Sequence, residues 1–596
     1  MRFRDIRLQQ TISSLQRGEL TRRQFMNRAV ALGISVPSVA ALLAACETDD
    51  DDVVDDDIDD EAPAVDTDTD DDVADDIEPE TDDETDVDDE DPDVDDEVDD
   101  DIDDAPGEGE YGGRLEVALV GEPPSLDIMT GTQAIMRFMM PHAVEFLFTW
   151  DDDFAIIPEL ADTHEVNDDG MLNIVNLREG VPFHNGDEMV ADDVIASIEQ
   201  WTDISGLGQT WNESIDDIEI VDDYTIEFHM SNPLGTFGQM LARMGQGCPI
   251  YPAEEAEAAD ETGVDEVIGT GPYQVVEHEP DQHLLMERFE DYAYRDEEPD
   301  GYGGRKYAYV DEIRFVPVPD EAARIAGIQA GDYHFIEEVA PDHFDTLDQD
   351  ENVVAEPEPY NWATFVFNTR EGIMTDQTIR QAAQAALNHE EILQAGYGEG
   401  FFRLDPSLMF EETAWHSTVG EDLYNVNDPE RAQQLLEEAG YDGEPIRFLT
   451  TQEYMDHYNN SLVGIQQLED AGFNVEPEFF DWATVGERRA DPELWDIFTT
   501  GISGADPALL APFATTEWPG WWDSDGKVDI INRLQEESDF DARYELFEEL
   551  QQLFYEEAPL IKLGDAMRIS ARSANLHGFI PIIQLSAFLW NTWLDE

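Results

Sequence analysis

The sequence predicts an α/β protein, and three observations support that fold class. Segments with the spacing of amphipathic helices alternate with short apolar segments through residues 111–596. We find no repeat period, which argues against a helical repeat protein. Hydrophobic residues make up 41% of the 596 residues, enough to bury a large core despite a strongly acidic composition. The alternation therefore favours α/β lobes over a single barrel.

The elements follow from local patterns along the chain. The predicted strands share alternating or uninterrupted apolar residues, and they cover 114–120, 220–230, 313–318, 446–450, 495–500 and 560–563. The predicted helices share apolar residues at helical spacing, and they cover 191–201, 321–330, 378–387, 429–439, 458–471 and 542–555. Gly331 and Gly440 directly follow two of these helices, at a position where glycine is favoured because it adopts a left-handed backbone readily.

The charge of the chain predicts adaptation to concentrated salt. Asp and Glu number 142 against 30 Lys and Arg, and the formal net charge is −112. Self-repulsion of this size destabilises a compact state in dilute buffer. At about 1 M salt the Debye length is only about 3 Å, so repulsion between exposed charges largely disappears. Nucleic acid is excluded as a partner, because no basic stripe is present to bind phosphates.

The first 46 residues are typical of an export signal that ends at a lipid-attachment site. Arg22 and Arg23, followed closely by an apolar residue, resemble a twin-arginine (Tat) signal, which exports folded proteins. The apolar run 29–45 is short for a membrane span. It ends in Leu-Ala-Ala before Cys46, which resembles a lipobox in which Cys46 receives the lipid. The alternative is a short N-terminal transmembrane anchor, and both interpretations place the rest of the chain outside the cell.

Residues 47–110 predict a disordered acidic tether. The stretch is rich in Asp and contains no Lys, Arg or His, so it cannot bury enough apolar surface to fold. Charge repulsion along it favours an extended chain. Lipid on Cys46 leaves Cys248 as the only other cysteine, so no intrachain disulfide is possible. We expect Cys248 to be a small buried apolar residue.

Five sets of motifs occur in order along the rest of the chain. They are Leu-Arg-Glu-Gly-Val-Pro-Phe-His-Asn-Gly-Asp at 177–187 running on to Ala-Asp-Asp-Val at 191–194, Gly-Thr-Gly-Pro-Tyr at 269–273, Phe-Asn-Thr at 367–369 with Ile-Arg-Gln-Ala at 379–382, Asp-Pro-Glu-Arg-Ala at 428–432 with Glu-Ala-Gly-Tyr at 438–441, and Glu-Ala-Pro-Leu at 557–560. Together they resemble the family 5 extracellular solute-binding proteins, the oligopeptide-, dipeptide- and nickel-binding components of ABC importers. With the export signal, the chain resembles a haloarchaeal-type Tat-exported lipoprotein of this family.

The resemblance implies a two-lobed, periplasmic-binding-protein-like (type II) fold with an extra small domain in the first lobe. The implied parts follow the signal 1–46 and the tether 47–110; they are a first lobe 111–365 with the small domain at 156–262, a second lobe 366–565, and a C-terminal segment 566–596 that returns to the first lobe. The chain would cross between the lobes near 366–368 and 563–565. Closure of the lobes around a ligand is the implied mechanism.

The resemblance also implies a ligand cleft between the lobes. In the family's peptide binders, an aspartate in a second-lobe loop pairs with the peptide's amino group; here Ser503 occupies that place. A hydroxyl cannot supply the negative charge that binds a peptide's amino group, so a peptide ligand stays open. Asp506 is the residue that would supply this charge instead. Asp506 also fits the cap of the next helix. Glu122, Trp362 and Trp482 are further candidates for the cleft, although a tryptophan is more often a core residue than a ligand platform.

The function implied is a substrate-binding protein with no catalytic residue, cofactor or metal ion. Expected partners are a small solute, the permease and ATPase subunits, and the membrane through Cys46, with the protein itself a monomer. A peptide is the family's default solute, and a nickel chelate or an oligosaccharide stays open. The alternatives are a sensor or other non-transport binding protein and, less favoured, a secreted hydrolase. Gly-Ile-Ser-Gly-Ala at 501–505 approaches a nucleophile elbow but ends in Ala where the pattern needs Gly.

Overall fold

The computed structural model describes residues 109–123, 125–131, 133–260, 262–504, 506–582 and 586–595. The predicted signal and lipobox, with Arg22, Arg23 and Cys46, and nearly all of the predicted tether lie outside the described residues.

The strands alternate with the helices along most of the chain, as the sequence predicts. The strands are β1 (Arg114–Leu119), β2 (Phe148–Trp150), β3 (Ile156–Pro158), β4 (Ala161–Val166), β5 (Leu172–Leu177), β6 (Ile215–Asp222), β7 (Thr225–Met230), β8 (Tyr273–Glu279), β9 (His283–Arg288), β10 (Glu312–Pro317), β11 (Phe335–Val339), β12 (Val353–Phe367), β13 (Phe402–Arg403), β14 (Ile446–Thr451), β15 (Val475–Phe480), β16 (Ile497–Ile502), β17 (Leu560–Ser573), β18 (Leu576–His577), β19 (Ile580–Ile582), β20 (Ser586–Phe588) and β21 (Trp593–Leu594).

The α-helices are α1 (Ala134–Met139), α2 (Ala191–Ile204), α3 (Gly206–Asn212), α4 (Phe237–Leu241), α5 (Ala253–Ala258), α6 (Glu321–Ala330), α7 (Pro341–Asp348), α8 (Gln377–Ala386), α9 (His389–Tyr397), α10 (Pro429–Ala439), α11 (Met455–Asp470), α12 (Trp482–Arg488), α13 (Ala511–Ala514), α14 (Asp525–Glu536) and α15 (Phe540–Glu557). The ends of α10 have local causes. The Asp428 side chain accepts the backbone N–H of Arg431 at its start, and Gly440 ends it with a φ of 73°.

One sheet connects both halves of the molecule, in the order β15-β14-β16-β12-β17-β11-β1-β10-β9-β8, with β13 beside β17. The two long strands β12 and β17 pair antiparallel from Val353↔Ser573 to Val366↔Leu560. At one end they continue through β11 and β1 into the first half of the sheet. At the other end β12 pairs with β16 from Trp362 onward. The predicted lobe boundary between 365 and 366 therefore lies inside β12.

The first half of the sheet carries a smaller antiparallel sheet, β4-β5-β7-β6, which lies within the predicted small domain. The stretch 220–230, predicted as one strand of a hairpin, contains the hairpin turn itself, because β6 ends at Asp222 and β7 begins at Thr225. Phe588 and Trp590, near the C-terminus, pack in the same core as Leu115 of β1. Cys248 is 1% exposed, which confirms its prediction as a buried residue.

The second half of the sheet is buried on both faces. Alternate residues of β12 enter different cores: Trp362 and Val366 pack on one face, and Ala363 and Phe365 on the other. Helices cover both faces, which explains why these strands carry apolar residues at consecutive positions.

Candidate ligand-binding cleft

The two halves face one another where β12 and β17 cross between them. The guanidinium of Arg568 on β17 lies over the ring of Tyr360 on β12. The Cζ atom of Arg568 is 4.5 Å from the centroid of that ring. Tyr454 precedes α11 in the second half. Burial raises the pKa of Tyr454, and the negative charge of Glu338, at the end of β11 in the first half, raises it further. We take Tyr454, Glu338 and Tyr360 as candidates for the facing surfaces of the cleft.

Trp482, one of the predicted cleft residues, belongs to an aromatic group on the second-half surface. Its ring stacks on His457 with centroids 5.2 Å apart and meets Tyr454 edge-on at 5.4 Å. Its backbone N–H donates to Glu453 Oε2 at 2.7 Å, which fixes the start of α12. Trp482 is half-buried and Tyr454 is 49% exposed, so this group presents a partly exposed aromatic face of the kind that suits a ligand-binding surface.

Ser503 lies, half-buried, in the loop that follows β16. Close to this loop, the Oδ1 atom of Asn361 is buried and accepts no hydrogen bond from the described residues. Gly501 makes this approach possible, since a Cβ there would lie 2.6 Å from Asn361 Nδ2. Asn361 therefore carries an unsatisfied buried acceptor next to the loop of Ser503.

Asp506, the other candidate in this loop, is 2% exposed and already has its partners. Arg543 Nη2 donates to both of its carboxylate oxygens at 3.0 and 2.9 Å. The same carboxylate accepts the backbone N–H of Ala508 at 2.8 Å and so caps the 3₁₀ turn Pro507–Leu509. A side chain with these bonds stabilises the loop, and we leave Asp506 out of the proposed site.

Glu122 and Trp362 lie in different surroundings from the aromatic group. The Glu122 carboxylate accepts a hydrogen bond from the backbone N–H of Asp281 at 2.8 Å and forms a second one with Nε2 of His278 at 2.9 Å. These hydrogen bonds lower the pKa of Glu122. Trp362 is 1% exposed and packs against Phe513 in the second-half core. We therefore leave Trp362 out of the proposed site, while Glu122 stays a candidate.

Two buried carboxylates beside Arg568 were not predicted from the sequence. Glu358 lies directly opposite Arg568 in the β12–β17 ladder, and Glu337 lies on neighbouring β11. Burial raises the pKa of Glu337 to about 7 and that of Glu358 to about 8, although the positive charge of Arg568 opposes both shifts. Glu337 and Glu358 lie close to Arg568 only because distant strands pair in the fold, so no local sequence signal could have identified these two acids.

A group of potential metal ligands occurs elsewhere, on the β6–β7 hairpin. Glu219 and Glu227 face each other across the strands, and with His229 their ligand atoms lie within 4.8 Å of one another. The group is exposed or half-buried, as expected of surface acids in such an acidic chain, and we assign no metal to it. No helix among the described residues is both long and apolar enough to cross a membrane.

Comparison with known proteins identifies the family. The model of the bacterial extracellular solute-binding proteins, family 5 Middle, matches residues 155–519. The chain belongs to this family. The family 5 assignment confirms the resemblance read from the motifs, and with the solved structures it confirms the two-lobed α/β fold.

Relatives of this family 5 protein share much of its length. A probable peptide ABC transporter periplasmic-binding protein of Sinorhizobium fredii is 29% identical over 474 residues, which is 75% of this chain and 87% of the relative. A glutathione-binding protein of Pectobacterium atrosepticum is 25% identical over 484 residues, covering 76% of this chain and 89% of its own. The oligopeptide-binding protein AppA of Bacillus subtilis, solved with a nonapeptide, has a TM-score of 0.65 at 21% identity; the match covers 82% of this chain and 100% of that one.

Proposed function

We propose that this family 5 protein is the substrate-binding component of an ABC importer. It captures a peptide or another small solute between its lobes and delivers it to a membrane permease. The observation that carries the proposal is the connection of the two halves by β12 and β17, with aromatic and polar groups on the facing surfaces at Tyr360, Tyr454 and Trp482. The relatives named for peptide and glutathione binding support a peptide-like solute.

The hinge of this binding protein lies in the two crossing strands. Their ladder is interrupted between Pro359 and Asn361 and again between Ala363 and Thr364. Interruptions of this kind weaken the pairing locally, so dihedral changes concentrate there. Next to them, Asp565 of β17 is held by Lys562 at 2.7 Å and by Arg403 at 2.8 Å. A ligand that contacts both lobes favours the closed population.

The domain boundaries retain their predicted values in this proposal: a first lobe 111–365 that includes the small domain 156–262, a second lobe 366–565, and a returning segment 566–596. We also propose export through Arg22 and Arg23, lipid attachment at Cys46, and residues 47–110 as the tether, in a salt-adapted cell. The motifs and the acid excess support these points. Treatment that releases lipid-anchored proteins from membranes, compared between the wild-type chain and Cys46→Ser, tests the anchor.

A ligand screen tests the proposed function. The full chain is unfolded by heat in concentrated KCl with di- and oligopeptides, Ni²⁺ chelates or oligosaccharides present. A true ligand raises the midpoint, by roughly RT ln(1 + [L]/Kd) in stability, because it binds only the folded state. If no compound of any class raises the midpoint, solute capture is contradicted. Adjacent genes for a permease and an ATPase would favour import over the sensor alternative.

A further inference from the structure

The two halves of the molecule also contact each other outside the crossing strands β12 and β17. The N–H of Gly235, in the segment between β7 and α4, donates to Gln535 O of α14 at 2.6 Å. The N–H of Ala414, in the second half, donates to Asp153 O, in the turn between β2 and β3, at 3.1 Å. Leu509, which follows β16, packs against the first-half core. These contacts join the halves by a route that is independent of the hinge.

The contact at Gly235 has no space for a side chain. A Cβ at this position would lie 1.7 Å from Glu537 O and 3.2 Å from Gln535 O, which are backbone atoms of the second half. Backbone cannot move aside as the end of a flexible side chain can. Any residue other than glycine would therefore push the two surfaces apart.

The contact at Asp153 lies in a strained turn. The next residue, Phe154, has a φ of 62°, a left-handed backbone conformation that is costly for a residue with a side chain. Phe154 is 7% exposed and meets Tyr302 edge-on at 5.9 Å, so packing in the first half holds the turn in this shape. The carbonyl of Asp153 is thus fixed in position for the N–H of Ala414.

Arg543 of α15 connects this region to the loop that follows β16. Its Nη2 donates to both carboxylate oxygens of Asp506, at 3.0 and 2.9 Å. With its amide oriented to satisfy both neighbours, Gln239 of α4 accepts from Arg543 Nη1 at 3.1 Å and donates to Gly235 O at 3.2 Å. One buried guanidinium therefore contacts the first half through Gln239 and the loop of Ser503 through Asp506.

We propose that these contacts form an interlobe latch that engages when the lobes close. The latch consists of Asp153, Gly235 and Gln239 in the first half and Ala414, Gln535 and Arg543 in the second half. Rotation about β12 and β17 moves α14 and α15 relative to α4, so a hydrogen bond of 2.6 Å between these parts breaks when the lobes open. The latch therefore stabilises the closed population.

In this inference Arg543 is a positioning residue that couples the latch to the candidate ligand loop. A solute that orders the loop after β16 also orders Asp506, and Asp506 fixes the guanidinium that binds Gln239. Solute binding and closure then favour each other, as linkage requires. The coupling rests on the proposed solute-binding function, whereas the latch itself is tested without a solute.

Double electron–electron resonance on the full chain in concentrated KCl tests the latch. Nitroxide labels are placed at Glu279→Cys in β8 and Glu476→Cys in β15, which are the two edge strands of the sheet, so their separation reports the opening of the lobes. Cys46→Ser leaves the buried Cys248 as the only other cysteine. We expect the ligand-free chain to show a closed and an open distance.

Gly235→Ala should lower the ratio of closed to open chains by about tenfold or more, because the added Cβ has no space when the latch is engaged. The matched control is Gly206→Ala in α3, where a Cβ has no other atom within 4 Å. The control should change the ratio by less than about twofold.

Gln239→Ala removes the link to Arg543 and leaves the ion pair of Arg543 with Asp506 in place. It should lower the ratio of closed to open chains by about threefold, the effect of one net hydrogen bond. Gln466→Ala is the control, an exposed glutamine that bonds to Asp470 of its own helix. Gln239→Glu keeps an acceptor for Arg543 and should restore most of the ratio.

A cysteine pair tests the latch by holding it engaged, so the test does not depend on whether Gly235→Ala folds. Asp153→Cys with Ala414→Cys, on the Cys46→Ser background without labels, replaces two residues whose backbones hydrogen-bond across the halves. A disulfide should form between them. Small-angle X-ray scattering should show a larger radius of gyration once this disulfide is reduced.

Titrations followed by tryptophan fluorescence test the coupling through Arg543. The probes are trialanine, glutathione and every compound that raises the midpoint in the ligand screen. Because the solute is held by the closed form, Gly235→Ala and Gln239→Ala should raise the Kd of a bound probe by about the factor by which each lowers the ratio of closed to open chains. Gln239→Glu should restore the Kd, which a purely structural role of Gln239 would not predict.

Each alternative outcome contradicts a stated claim. The contacts are a fixed interface, and the latch is wrong, if the ligand-free chain shows one distance that Gly235→Ala leaves unchanged, or if reduction leaves the radius of gyration unchanged. Failure of the cysteine pair to oxidise also overturns the latch. The coupling is wrong, while the latch stands, if Gln239→Ala shifts the ratio and leaves the Kd unchanged. If the distances respond as expected and no compound binds, the latch stands and solute capture fails.

Discussion

The first lobe contains two groups of buried charges, and they differ in how completely each charge is paired. In one group, Lys306 lies 2.9 Å from Glu145 and 2.6 Å from Glu159, while Tyr292 and Thr270 donate to Glu145. Both carboxylates contact the lysine directly, and all three side chains are at most 4% exposed. Because one lysine serves two acids, burial and the charge of Glu145 raise the pKa of Glu159 to about 7. This group joins loop segments that are far apart in the chain.

The other group is Glu337, Glu358 and Arg568 on the neighbouring strands β11, β12 and β17. Burial raises the pKa of Glu337 to about 7 and that of Glu358 to about 8, although the positive charge of Arg568 opposes both shifts. Removing one member of a directly paired buried group is costly, because it leaves the others desolvated and unpaired. A buried acid with a raised pKa instead costs stability at any pH at which it is ionised. Three changes test this contrast, in order of decreasing effect.

The largest effect is expected from Lys306→Met. Removal of the lysine leaves Glu145 and Glu159 buried without their cation, so the free energy of unfolding should fall by about 3–5 kcal/mol. Denaturant unfolding in concentrated KCl measures this. The control is Lys527→Met, a buried lysine whose ammonium donates to the single carbonyl of Thr515, and it should cost less. Equal losses of unfolding free energy in Lys306→Met and Lys527→Met would show that the two buried carboxylates beside Lys306 are not the cause.

Glu358→Gln should instead stabilise the protein at alkaline pH. The pKa of Glu358 is about 8 in the folded protein against 4.5 ordinarily. Between these values the folded state holds a proton that the unfolded chain has lost, so stability decreases as pH rises through the window. Glutamine resembles the protonated acid. The free energy of unfolding of the variant should therefore exceed that of the wild type by on the order of 2–4 kcal/mol at pH ~9 and by little at pH ~4.

Unfolding at both pH values checks this sign. Glu438→Gln is the control, because Glu438 is 60% exposed and lies 3.4 Å from Arg431. A gain of equal size at both pH values, or a gain in the control as well, would show that burial of Glu358 is not the cause.

The smallest effect is expected from Trp482→Ala, and it should appear in binding more than in stability. Loss of the aromatic face should weaken a bound solute by roughly tenfold, since stacking contacts contribute about 0.5–1.5 kcal/mol in addition to their buried area. Trp518→Ala is the matched control, a half-buried tryptophan that packs on Phe498 in the second-lobe core. Fluorescence titration with a solute from the screen measures both. Equal weakening in the two variants would remove Trp482 from the cleft.

Local signals identified several elements closely. Helix α10 was predicted to its first and last residue from its apolar spacing and Gly440, and α6 was predicted over its full length with Gly331 at its end, where the structure has a φ of 77°. The same approach missed β12. Pro357 and Pro359 argue against a strand, yet they lie where β12 pairs only with β17 and its other edge is free. A proline is tolerated on such an edge.

The candidate site shows the same division. Trp482 as a ligand contact stays a prediction from the sequence, whereas burial decided that Trp362 belongs to the core and that Asp506 is occupied by Arg543. Burial depends on which faces of distant elements meet, and no single segment specifies this.

The sequence by itself determined the acid excess, the α/β class, the family motifs and the ends of helices, since these depend on composition or on contacts a few residues apart. Only the tertiary structure decided that Glu358 of β12 lies opposite Arg568 of β17, with Glu337 on the neighbouring strand β11. These residues come from stretches that are far apart in the sequence. They meet only because long-range strand pairing joins those stretches, and burial there raises the pKa of both acids.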